Sequence, residues 1–338
     1  MAKKTYDIFV GCYGNENEET IHWLEFDALN GKIYDVASFS GVENPSYLTV
    51  DHKRNCLYVI SEKERGEVLS FEIDRQLKTI NLWNRFPAKG GPCYIELGED
   101  GDYLFTANYG GGSVIVHQLN QKGEIEKETD FKKYHPEISK LHTIRRIPGT
   151  SMYVATDLGW NKIYFYRFLE ELGRLEQIKE IDTPGSSGPR HLAFHPFLNM
   201  LYVVNEFDST ILAYSYDALL ESVRLEQTIT TLPSNFNGEN YGAEIHFFDG
   251  YVYVSNRGHH SIAVFKVLQD GKLEALSHTN LTGKWPRHFT CLPNSDYIVV
   301  ANERSNELIV MEREEGGKLK ITENYFSVKS PVCIQFLA

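Results

Sequence analysis

One pattern returns six times along this chain, and nothing else in the sequence restricts its fold so tightly. A short apolar strand, a tight turn, a second apolar strand ending in a small or polar residue, and then a third strand recur. The copies begin at Pro45, Pro92, Leu141, Pro189, Gly242 and Pro286, between 44 and 53 residues apart. Repetition at this period makes each copy a unit that cannot bury its apolar surface alone, so the copies must stack on one another. Tyr, Val, Ile and Phe dominate each copy and alternate with other residues, as in IYFYRF (163–168) and ILAYSY (211–216), with Asp-Gly, Pro-Gly and Pro-Asn turns between them. That is the chemistry of antiparallel hairpins. A fourth, more polar segment closes the units (LEQIKEID 175–182, LEQTITTL 225–232, LEALSHTN 273–280), as suits the outer edge of a sheet.

Four antiparallel strands in about 45 residues predict a propeller blade, and the termini set the number of blades. Pro331–Ala338 reads as the opening strand of a seventh copy that runs out of chain. Tyr6–Cys12, Ile21–Asp27 and Lys32–Phe39 supply three strands that lack an opener. Joining them closes the ring and removes the free sheet edge. The expectation is therefore an all-β, seven-bladed propeller spanning residues 1–338 as a single domain, its last blade built from both chain ends. Helix is confined to a turn or two at Phe168–Leu172 and Asp217–Ser222.

Charge and composition narrow the function. With 46 acidic against 34 basic side chains and a net charge of −12, nucleic acid and anionic membranes are poor partners. The apolar run near the N-terminus is only Ile8–Val10 and nothing approaches the roughly 20 apolar residues of a membrane helix. Cys12, Cys56, Cys93, Cys291 and Cys333 are scattered without a Cys-x-x-Cys pair, which reads as reduced, packed thiols in a cytoplasmic protein.

The topology also says where chemistry belongs. The start of a blade's innermost strand lies beside the end of its second strand, so these positions from all blades converge on one mouth of the central channel. Second strands end at Asn108, Asp157, Asn205, Asn256 and Asn302, followed by Tyr109, Leu158, Glu206, Arg257 and Glu303. First strands begin near His142, Arg190 and His191, Glu244 and His246, and Arg287 and His288. The candidate site residues are His142, Arg190, Glu206 and Arg257, with Tyr109, Asn205, Glu244, Asn256 and Arg287 as candidate substrate contacts. Plainer roles stand beside these. Strand-end Asn and Asp cap turns, Arg190 and Arg287 suit ion pairs with Glu206, Glu244 or Glu303, and His191, His195, His246 and His288 suit packing. His259 and His260 lie in a turn. No His-x-His or His-Glu-x-x-His spacing anchors a metal, and permanently charged arginines repel cations. Neither metal nor other cofactor is expected.

The loop Leu232–Tyr241 lands on the same face and suits either a rim or lid or a plain insertion, and the connections Thr129–Lys140 and Thr183–Gly188 join it there. Gly110–Gly112 suits a tight turn that lets another segment approach its backbone.

The stretches NPSYL, TANYGGGSV, DLGWNKI, GPRHLAFHP, YVVNE, GAEIH, SNRGHHSIAVF and WPRHF, in this order over nearly the whole length, resemble the seven-bladed propeller lactonases, a family that includes 6-phosphogluconolactonases and carboxymuconate cyclases. The resemblance implies a metal-free site with His142, Arg190, Glu206 and Arg257 at the family's catalytic histidine, first arginine, glutamate and second arginine. It implies a small anionic sugar lactone as substrate, most simply 6-phosphogluconolactone. A muconate-type lactone cyclase and a non-catalytic binding platform are the alternatives. One departure is visible: the family's His-x-His segment is here Lys140-Leu141-His142. In the expected mechanism Glu206, its pKa raised by seclusion, takes a proton from water. Arg190 stabilises the oxyanion, His142 protonates the leaving oxygen, and Arg257 with Arg287 grips the anion.

Overall fold

The computed structural model describes residues 5–337. Among the described residues, twenty-eight strands form seven antiparallel four-stranded sheets. Blade 1 spans residues 48–87, blade 2 92–133, blade 3 141–182, blade 4 189–230, blade 5 241–280 and blade 6 286–327. In blade 7 the C-terminal strand Pro331–Leu337 pairs antiparallel with Thr5–Cys12, Ile8 opposite Phe336 and Val10 opposite Ile334, and Ile21–Asp27 and Lys32–Phe39 complete the sheet. The predicted closure is the observed one.

Burial explains the composition of each strand. The two inner strands of blade 4, Pro189–Phe194 and Met200–Asn205, are buried at every position, because a neighbouring blade covers each face. The outer strand Leu319–Ser327 is buried only at Leu319, its other positions being half-buried or exposed. The core is thus a set of layers between adjacent sheets. Val154, Ile163 and Phe165 of blade 3, for instance, meet Leu192, Leu201 and Val203 of blade 4, each such side chain contributing about 1.5–3 kcal/mol when buried. Hairpin chemistry is equally local. Asp249 and Gly250 take positive φ (51° and 80°) in the two-residue turn between the inner strands of blade 5, the type I′ geometry that strand twist favours.

Two details differ from expectation. The outer strand of blade 2 runs on to Lys133, so the connection expected from Thr129 begins after that residue. Short 3₁₀ turns form at Glu170–Leu172 and also at Glu303–Ser305, while Asp217–Ser222 closes as a hydrogen-bonded turn without helix. Gly110–Gly112 admits the backbone of the preceding connection, since a Cβ on Gly90 would lie 2.4 Å from Gly111 Cα. No helix among the described residues is long and apolar enough to cross a membrane, and all five cysteines are free and buried.

Candidate active site

A recurring irregularity aims the chemistry. The innermost strands of blades 2, 3, 4 and 6 each carry a one-residue bulge against the second strand, at Cys93, His142, Arg190 and Arg287. A bulge re-aims the side chain it carries, and here it delivers an imidazole and two guanidinium groups to one end of the channel. The Arg190 bulge is fixed by Thr143 and Thr156, whose hydroxyls donate to the Arg190 carbonyl at 2.9 and 2.6 Å.

From the second strands come the partners. Glu206 follows Asn205 into a turn held by its own N–H donating to the Gly188 carbonyl at 2.7 Å. Its Oε2 accepts from Arg257 Nη2 at 2.7 Å and lies 3.1 Å from Arg190 Nε. This second contact is an ion pair without hydrogen-bond alignment, since Arg190 Nε, like Arg257 Nε, has no hydrogen-bond acceptor. Backbone carbonyls orient both guanidiniums, Arg190 Nη1 donating to Ala243 at 2.7 Å and Arg257 Nη2 to Gly242 at 3.1 Å. Arg287 lies 3.9 Å from Glu62 Oε2 and over the Tyr13 ring, while the Tyr13 hydroxyl donates to Glu62 at 3.0 Å. His142 packs between the rings of Tyr109 and His191, at centroid distances of 5.9 and 5.0 Å, and its Nδ1 is buried with no partner. Lys140 lies over the Tyr109 ring at the rim.

The electrostatics follow from this crowding. Burial, then Arg190 and Arg287, pull Arg257 down to about 10, and burial with Arg287 lowers Arg190 as well. Both remain charged at neutral pH. Burial followed by Arg190 and its cationic neighbours holds His142 well below the ordinary imidazole range, so it is neutral. Burial tends to raise Glu206, but Arg257 and Arg190 outweigh it and the net shift is downward. The expected upward shift of Glu206 is therefore corrected: a carboxylate bound to two guanidiniums is held ionised whatever its seclusion.

His142, Arg190, Glu206, Arg257, Arg287 and Tyr109 thus come together at the mouth. Three other candidates do not. Asn256 is fully buried, accepting from Thr231 and Asn240 and donating to the Thr231 carbonyl, and Asn205 is fully buried with its amide donating to the Thr210 hydroxyl. Both are corrected from substrate contacts to supports, because each amide is fully buried and bonded to its strand-end neighbours. Asn240 also pins loop 232–241 at one end, through Asn256 and Ser209. Glu244 sits deeper than the mouth, within a bulge of blade 5, accepting from His191 Nδ1 at 2.9 Å.

Glu62 and Tyr13 join the mouth although the sequence did not point to them. They hold the positions of Glu206 in blades 1 and 7, after the second strands Cys56–Ser61 and Thr5–Cys12. The aligned register carried the signal, obscured because those strands end in Ser and Cys rather than Asn or Asp.

Below the mouth the channel narrows. Tyr47, Tyr94, His191 and His288, from blades 1, 2, 4 and 6, pack ring against ring with centroids 4.4 to 5.9 Å apart. Beyond this waist lies a cavity of about 210 Å³ whose lining includes Glu96, Arg145, Glu244, His246 and His288.

The family model described as "Lactonase, 7-bladed beta-propeller" matches residues 7–336. A 6-phosphogluconolactonase of Bacillus subtilis (strain 168) is 30% identical over 345 residues, covering 98% of each chain. The structure of a periplasmic gluconolactonase of Pseudomonas aeruginosa superposes with a TM-score of 0.92 at 26% identity over 99% of each chain. A Lactobacillus plantarum protein does so with the same score and identity, over 99% of this chain and 100% of its own. With that match over nearly its full length, the chain belongs to the lactonase family of seven-bladed β-propellers.

Proposed function

We propose that this lactone-hydrolysing enzyme acts on a phosphorylated sugar lactone, with 6-phosphogluconolactone the first candidate, at the arginine-rich mouth and without a metal there. One observation carries the reading: three guanidinium groups, Arg190, Arg257 and Arg287, converge from three blades on a mouth that also holds a neutral imidazole. Mutually repelling cations in a secluded site are relieved by an anion, and planar guanidinium donors match phosphate and carboxylate oxygens. The name of the Bacillus relative supports the phosphorylated substrate. We infer the cytoplasm as the compartment, where five free thiols stay reduced most readily.

The pairing of Glu206 with two guanidiniums supports a different division of roles. Neutral His142, with Nδ1 unpartnered, takes a proton from the attacking water as its oxygen bonds to the lactone carbonyl carbon. Arg190 stabilises the charge that develops on the carbonyl oxygen. As the intermediate collapses, the ring C–O bond breaks and the imidazolium returns the proton to the departing oxygen, leaving a hydroxy acid and neutral His142. Arg257 and Arg287 hold the remote anionic group. Glu206, ionised throughout, keeps Arg190 and Arg257 apart and aimed, in place of the base role its position first suggested.

The test is a kinetic panel of 6-phosphogluconolactone, gluconolactone and muconolactone, each with a chelator present. The expected result is full activity with chelator and a kcat/KM for the phosphorylated substrate about 10- to 100-fold above gluconolactone, the range set by one charge-assisted hydrogen bond. Preference for muconolactone would turn the assignment to a lactone cyclase. Binding of all three without turnover would leave a non-catalytic platform.

A further inference from the structure

The far end of the channel differs from the mouth in kind. There Glu244, His246 and His288, from the innermost strands of blades 5 and 6, bring one ligand atom each within 4.8 Å of the others. His246 Nε2 lies 3.7 Å from Glu244 Oε1, and His288 Nε2 lies 3.4 Å from Glu244 Oε2. Tetrahedral zinc with ligand bonds near 2.1 Å places its donors about 3.4 Å apart. We propose that Glu244, His246 and His288 form a site for a zinc-class divalent cation, with a fourth position open to the cavity beyond the waist.

Three further observations support it. Two imidazoles and one carboxylate with an open position are a recurrent zinc donor set, and imidazole selects borderline transition ions over magnesium or calcium. The carboxylate is already held by outer partners, accepting from His191 Nδ1 at 2.9 Å and from the Ile245 N–H at 3.1 Å, the kind of support that fixes ligating carboxylates. Arg145, which lines the same cavity, is itself engaged: its Nε lies 3.5 Å from Glu96 Oε2 and its Nη1 donates to the Leu192 carbonyl at 2.8 Å. The scaffold is rigid, since Glu244 and His288 are buried, while His246 is partly exposed at the cavity and free to close on an ion. Sequence spacing concealed the set, because Glu244-x-His246 is completed only by a residue of the next blade.

The experiment is calorimetric titration of the full, chelator-stripped chain with zinc chloride, with magnesium chloride in parallel. One zinc per chain with Kd near or below about 1 µM is expected, and no magnesium heat. His246→Ala should weaken zinc by about 100-fold or more, beyond the 10- to 100-fold that loss of an outer partner costs, and leave lactone turnover and the melting temperature of the stripped protein unchanged. Glu244→Gln, which keeps the shape and removes the charge, should weaken zinc likewise. Cobalt substitution should give the visible absorption of a tetrahedral site. His259→Ala and His260→Ala should change none of this. Zinc binding unaltered by His246→Ala, or no binding tighter than about 100 µM, overturns the site. Because binding is read without substrate, its failure is independent of the lactonase assignment.

Discussion

The two ends of the central channel are built from the same seven strands, and they carry opposite chemistry. At the mouth, bulged residues at the strand starts and the end of a second strand present Arg190, Arg287 and Arg257 with an imidazole that burial and cationic neighbours keep neutral. Beyond the waist of Tyr47, Tyr94, His191 and His288, the lining turns to Glu244 and Glu96 with Arg145 paired aside. Depth along the channel therefore changes its chemistry as much as blade does, from converging guanidiniums to a carboxylate with two imidazoles. Glu244 and His191 link the layers, with the carboxylate below accepting from an imidazole that packs on His142 above. Outside that link the two ends are separate, so a substitution such as His246→Ala should leave the mouth intact.

The largest effect is expected at His142. Loss of an acid–base residue typically costs about 10²–10⁴ in rate, so His142→Ala should lower kcat by that amount while zinc titration is unchanged. The pH profile is more discriminating. A base held neutral far below the ordinary imidazole range keeps kcat/KM level as pH falls through about 6.5, and the acid limb appears only at lower pH. A limb centred near 6.5 would show that His142 is not the titrating base. The same shift acts on stability. The unfolded chain binds protons on this histidine that the folded chain refuses, and His288, driven down to about 3 chiefly by burial, behaves alike. Stability from both is complete above about pH 6.5 and is lost as pH falls below it. Urea melts from pH 7.5 to 4.5 measure this, and a midpoint that does not move across that range contradicts it.

Arg190→Ala comes next. Removal of one oxyanion donor costs about 10²–10³ in kcat, with KM less affected, whereas Arg257→Ala should chiefly raise KM. If both changed KM alone, the mouth would be a binding site without directed chemistry, and the contrast between its two arginines would vanish.

The distance between sequence and structure is instructive at particular residues. The blades were legible because strand alternation and turns repeat, and closure followed from the incomplete copies at Pro331 and Tyr6. The mouth was legible as a set of positions, since antiparallel pairing places strand starts beside strand ends. Depth was not. Whether Glu244 faces the mouth or the waist depends on a bulge between Gly242 and Ile245, and composition does not mark a bulge. Nor does a sequence show that Glu206 meets two guanidiniums at once, which is what reversed its expected titration.

Glu206→Gln tests that reversal and should be milder in kcat than either His142→Ala or Arg190→Ala. Its main cost is structural, since two buried guanidiniums lose their counter-charge. Breaking a buried pair costs about 3–5 kcal/mol, and the partial exposure of Glu206 reduces this to about 1–3 kcal/mol by screening. Because the folded carboxyl is held below its ordinary range, wild-type stability from this group is present above about pH 4.5 and lost as pH drops through the folded value. The substitution should therefore matter at neutral pH and cease to matter in acid. A kcat loss as large as that of His142→Ala, with no change in melting, would return Glu206 to the role of base.

The smallest effect belongs to the rim. Lys140 replaces the first histidine of the family's His-x-His segment and lies over Tyr109, the ring that packs on His142. Its ammonium sits over that ring and makes no ion pair with Glu206, so it acts on substrate approach and loosely on affinity. A half-buried rim charge of this kind contributes about 0.2–1 kcal/mol, which predicts a KM for the anionic substrate raised by about 1.4- to 5-fold in Lys140→Ala with kcat unchanged. Salt separates the two layers of the mouth. The Lys140 contribution should fade between 50 and 300 mM salt as screening shortens, whereas the loss in Arg190→Ala, buried and out of reach of bulk ions, should persist. If the Lys140 effect survived high salt, the lysine would contact substrate directly and the departure from His-x-His would alter the catalytic set rather than its rim.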